Sequence, residues 1–169
     1  MKTITRNSRP ANRYTVGIQA EVPAVLFGLS LSEKASVSKE EIKELILDGN
    51  RIHDIPSFYD EVNRVFMQEV GFTLGPSLDA FNDVLHGGYG AIRGNEPICL
   101  KWLHFEKNKE DLGVAATIAF YRAKLEQPET FNPEWARKKL DELECGEGQT
   151  YMDMLLEIIG EHPNIRLVV

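Results

Sequence analysis

Cysteine is scarce in this 169-residue chain: Cys99 and Cys145 are its only two. Cys99 lies inside the apolar run ICLKWL, where a buried thiol behaves as a small hydrophobe, and Cys145 precedes Gly146 in a polar segment. Two unrelated thiols give neither a disulfide framework nor a zinc pattern, so a reducing compartment is expected. No run of 18 apolar residues exists, which excludes an ordinary membrane-spanning helix. The opening MKTITRNSRPANRY lacks the apolar stretch of a signal peptide, and a cytoplasmic protein is therefore expected. Also missing are a phosphate loop, a dinucleotide fingerprint, an H-E-x-x-H zinc motif, a nucleophile elbow and a C-x-x-C pair. No internal repeat or low-complexity tract is present.

Positive charge is the other deficit. Lys and Arg total 19 against 26 Asp and Glu, a net charge of −7. Nucleic-acid backbones and anionic membranes both require a cationic face, so neither is expected as a partner, whereas a basic protein is compatible. The deficit is also local. Between Arg64 and Arg93 lie 28 residues without one Lys or Arg, while Glu69, Asp79 and Asp83 fall inside the gap.

Apolar residues make up 43% of the chain, enough for one well-buried domain. Residues 1–43 are expected to form an N-terminal extension packed on a domain of residues 44–169. RYTVGIQAEVPAVLFGLSL (13–31) is expected to supply extra strands, and SVSKEEIKEL (36–45) carries a helix-start signal. ELILDGNRI (44–52) reads as a buried strand running into a tight Asp-Gly turn. Residues 56–70 space Phe58, Val62, Val65 and Phe66 as an amphipathic helix stopped by Gly71. A second helix is expected from Pro76-Ser77 to Gly87-Gly88, with proline just inside its start. PICLKWLHF (97–105) is the strongest strand, apolar enough to be covered on both faces and to hold His104 as a core or edge residue. Helical patterns follow at about 111–126, 133–145 and 148–160, and HPNIRLVV closes with a turn and a buried strand. Strand and helix alternate, predicting an α/β fold with a small, mostly parallel sheet packed by helices.

Asp79 and Asp83 stand four apart on the second helix, on a different stripe from Leu78, Phe81 and Leu85. Stacked like charges cost an isolated helix about 0.2–0.5 kcal/mol. The macrodipole favours Asp79 in the first turn but does not reach Asp83. A plain solvated face is one explanation. An acid–base pair is a poorer one, because two carboxylates on one exposed face have similar surroundings and nothing to push their pKa values apart. His86 with Asp83 could offer metal ligands, although a histidine near a helix C-terminus also simply suits the dipole. The missing lysines and arginines favour a fourth use, a cationic partner whose charge offsets the repulsion as water leaves.

Four stretches carry a resemblance to a known family: ILDGNRIHDIPSFYDEV (46–62), LGPSLDAFNDVLHGG (74–88), PICLKWLHFEKNKEDL (97–112) and YMDMLLEIIGEHPNIRLVV (151–169). With the pattern G-x-x-L-D-A-Φ-x-D (Φ apolar) at 75–83, they resemble the barstar family, intracellular inhibitors of a secreted bacterial ribonuclease. The similarity covers residues 44–112 and 148–169. It implies three parallel core strands, no catalysis, no cofactor and no metal. The implied role is that of an immunity protein in a toxin–antitoxin pair, whose partner is a basic ribonuclease and which needs neither nucleic acid nor membrane.

By position, Asp79 and Asp83 match the family's acidic contacts, Glu157 a further acidic contact on the last helix, and Gly75 the loop glycine before the inhibitory helix. Thr73, Asn82 and Gly88 stand where the family has aromatic contacts, with Phe72 and Tyr89 close enough to substitute. A helical insertion at about 113–147, carrying Trp135, has no counterpart in the resemblance. The alternatives are a module of the same fold serving an unrelated protein partner, a small metal-dependent hydrolase using Asp79, Asp83, His86 and Glu157, or a structural domain without a site.

Overall fold

The computed structural model describes residues 42–169, which belong to the compact unit Lys39–Val169. The strands expected in 13–31, the packing of the N-terminal extension and the first part of the helix signal in 36–45 lie outside the described residues. The end of that signal is corrected: Lys43–Leu45 belong to a strand, because Leu45 and Leu47 alternate into the core.

Three strands, β1 (Lys43–Asp48), β2 (Ile98–Leu103) and β3 (Ile165–Val168), form one parallel sheet in the order β1-β2-β3. The helices are α1 (Ile55–Phe66), α2 (Leu78–Leu85), α3 (Phe105–Asp111), α4 (Val114–Leu125), α5 (Pro133–Glu144) and α6 (Tyr151–Gly160), with a 3-10 turn at Gly49–Arg51. The described residues are thus an α/β fold with a small parallel sheet. Register pairs Leu45 with Leu100, Leu47 with Trp102 and Ile98 with Ile165, so one sheet face is continuously apolar. Phe58 of α1 stacks on Trp102 at 5.7 Å and meets the edge of Phe81 of α2 at 5.3 Å. Tyr59, Val62 and Phe66 of α1, Val84 and Leu85 of α2, and Tyr151, Met152, Leu155 and Ile159 of α6 complete that core.

The opposite sheet face corrects the expectation that β2 is covered on both sides. It carries Glu44, Ile46, Lys101, Leu103, Arg166 and Val168, all exposed or half-exposed, with Lys101 paired to Glu44 at 2.6 Å. The apolar run of β2 is explained by its central position instead: Cys99 is buried on this face between two flanking strands, with Arg166 3.8 Å from its sulfur. β3 is likewise not a buried strand. It is an edge on which Ile165 is buried and Val168 exposed.

Helix ends follow local chemistry with three departures. Asp54 and Ser57 form a reciprocal capping box at the start of α1. The helix stops at Phe66 rather than Val70, because the Phe66 carbonyl accepts from Ala91 N–H at 2.7 Å and Asn63 ties both polar atoms of its amide to the Leu74 backbone. Ser77 caps α2, which leaves Pro76 just outside the helix rather than inside it. β2 ends at Leu103, and His104 is exposed in the left-handed region (φ 55°), so the strand does not reach 105 and His104 is neither a core nor an edge-strand residue. The turn brings buried Asn108 under Trp102, whose Nε1–H donates to Asn108 Oδ1 at 2.8 Å. The helix expected over 111–126 is α4, and a further short helix, α3, precedes it where the end of the strand was expected. The two are separated at Gly113, where a Cβ would stand 2.7 Å from the Lys109 carbonyl.

α4 and α5 make a hairpin within residues 113–147, with a separate small core of Tyr121, Leu140 and Leu143. Trp135, 44% exposed, sets its edge against Tyr121 at 5.4 Å.

Candidate functional site

α2 is a two-turn amphipathic helix. Ser77 Oγ accepts from Ala80 N–H at its start, and Phe81, Val84 and Leu85 are buried. That anchoring fixes the opposite stripe, so Asp79 and Asp83 are exposed. Glu157 is exposed on α6, where its Oε2 accepts from Gln149 Nε2 at 2.8 Å. Among the described residues none of these three carboxylates takes part in an ion pair.

α6 lies against α2. Near the start of both helices the buried hydroxyls of Tyr59 and Tyr151 share a 2.8 Å hydrogen bond. Burial pushes both phenols up, Tyr151 to about 12; at Tyr59 the neighbouring Tyr151 and the negative charge of Asp79 add to the rise. At the other end, Asn82 Oδ1 accepts from Nε2–H of His162, just past α6, at 2.8 Å. The two helices therefore run side by side in the same direction.

Phe72, 53% exposed, and half-buried Tyr89 come together across the ends of α2 with ring centroids 5.5 Å apart. Burial and the charge of Asp83 both raise the Tyr89 phenol. The structure thus brings Asp83, Tyr89 and Phe72 to one end of the site, with Thr73 and Gly75 exposed in the loop before α2. Nothing lies within 4 Å of a Cβ built on Gly75, so that position has room for a side chain. Gly88 is equally open, whereas Asn82 is half-buried and turned toward α6. Among the described residues no group of three His, Cys, Asp or Glu side chains is arranged to hold a metal ion.

Three supports of this surface had no recognisable sequence signal. Asn63 holds the loop leading into α2, the Tyr59–Tyr151 pair lies beneath its first turn, and His162 meets its last turn. Each is a contact between residues far apart in sequence, which periodicity does not reveal. Comparison of the chain with family models, with curated proteins and with solved structures returns no match.

Proposed function

We propose that this protein is a barstar-like ribonuclease inhibitor, an immunity protein that blocks the cationic active site of a basic ribonuclease with α2 and its neighbouring loop. The observation that carries this reading is the pair Asp79 and Asp83, exposed on one rigidly anchored helix with no ion-pair partner among the described residues. Two carboxylates about 6 Å apart imitate neighbouring phosphates in spacing and sign, and repel by roughly 0.7 kcal/mol in water. An enzyme that binds RNA phosphates supplies the positive charge that turns this repulsion into attraction. Glu157 is a further exposed carboxylate on the adjacent helix, and Phe72 with Tyr89, beside Asp83, supplies an aromatic pair of the kind enriched in protein interfaces. Function on this account is occlusion: the chain itself performs no chemistry.

The test is RNA cleavage by a secreted basic bacterial ribonuclease, titrated with the full chain. Stoichiometric loss of cleavage is expected. Asp83→Ala should weaken inhibition by roughly 10- to 100-fold, the scale of one charge-assisted hydrogen bond, and Asp79→Ala somewhat less. Undiminished cleavage at excess inhibitor, or equal inhibition by both variants, would overturn the proposal.

A further inference from the structure

Two histidines meet where α2 and α6 end. The rings of His86 and His162 stand edge-to-face with centroids 4.5 Å apart, and one residue, Asn82, holds both. Its main-chain carbonyl faces His86 Nδ1 at 2.9 Å, and its side-chain carbonyl faces His162 Nε2 at 2.8 Å. Both acceptors are carbonyl oxygens, so each of these ring nitrogens carries a proton, and the remaining nitrogen of each ring is the one that gains or loses a proton when the ring changes charge. His162 is buried and His86 exposed.

We propose that His86, Asn82 and His162 form a pH-sensitive latch between α2 and α6, closed when both rings are neutral and opened by acid. Charging His162 places an imidazolium in a buried position, and charging both rings sets two cations against each other at ring-contact distance. Titratable or charged groups face the pair from both helices. Glu161, beside His162, favours its proton, and Asp83 lies one turn before His86. In the loop after α2, Glu96 is engaged by Lys43 and by the Arg93 amide.

Burial, then the neighbouring His86, lowers the pKa of His162 below its ordinary 6.5, against the smaller opposing pull of Glu161. A histidine depressed in the folded state is protonated more readily in the unfolded one. Latch stability is therefore complete above the unfolded value. It falls as pH drops through about 6.5, about tenfold in the opening equilibrium per unit of separation, and levels off below the folded value. On the inhibitor reading, which this last step alone depends on, an opened latch frees the end of α2, and a charged His86 offsets Asp83. Acid would then weaken the grip on a cationic enzyme.

Ring-proton NMR titration of the full chain from about pH 8 to about pH 5, with amide exchange of α2, tests the latch without any partner. His162 should titrate below the ordinary histidine midpoint, and Phe81–Leu85 exchange should accelerate as it gains its proton. His86→Gln should raise the His162 midpoint. His162→Gln, which can still donate to Asn82, should flatten the pH dependence of exchange. If His86→Gln leaves the His162 midpoint unmoved, or if α2 exchange in both variants follows wild type at every pH, the latch is wrong. Neither result bears on whether the chain inhibits a ribonuclease.

Discussion

Glu61 is the one buried acid among the described residues, and every direction around its carboxylate is occupied. Oε1 accepts from the Asp48 amide at 2.7 Å and from Arg64 at 2.6 Å, while Oε2 accepts from Arg64 Nε at 2.7 Å and faces Arg51 Nε at 3.1 Å. A single residue thereby ties the end of β1 to α1. Glu61→Ala should cost about 1.5–3 kcal/mol, the worth of charge-assisted hydrogen bonds whose guanidiniums return to water, read as a lower urea midpoint. The contrast with Asp79 and Asp83 is physical. Glu61 is an acid with its cations built in, whereas the α2 acids face solvent and their removal should leave the unfolding midpoint within about 0.5 kcal/mol of wild type.

Among the elements, α2 was the most legible, because its first-turn aspartate, apolar stripe and following glycines are local signals, although its start lies past Pro76, with Ser77 as the cap. α5 was nearly as clear: the helix expected over 133–145 spans Pro133–Glu144, and the structure adds Asn132 as its cap. α3 was not. It begins at a histidine in a backbone region that residues with a Cβ seldom enter, and its position is set by Asn108, which accepts from Trp102 and donates to the carbonyls of Gly49 and Ile52 at 3.0 and 3.1 Å. No local pattern encodes a contact across 59 residues. Asn108→Ala should cost about 1–3 kcal/mol for each buried group left unpartnered, and Trp102→Phe in the same background should recover part of it, a coupling that a double-mutant cycle measures. The open outer face of the sheet was illegible for a related reason. A central strand is buried by its neighbours as well as by overlying helices, and the apolar run of β2 does not say which.

At the scale of the whole molecule, the carboxylates were legible as residues and as a helix stripe, while the Tyr59–Tyr151 support and the histidine contact were not, since both arise only when α1, α2 and α6 come together. A chain of net charge −7 that meets a basic enzyme should associate quickly at low ionic strength, and its association rate should fall steeply as salt is added while dissociation changes little. The central claim is that the exposed α2 acids, and not the fold in general, confer inhibition. Its most direct test is the inhibition constant of Asp79→Asn/Asp83→Asn against a basic secreted ribonuclease, measured beside the variant's urea unfolding curve. The account predicts an unchanged unfolding midpoint with inhibition weakened by at least about a hundredfold, because both carboxylate charges are removed from the interface at once. A variant that folds like wild type and inhibits like wild type would contradict it.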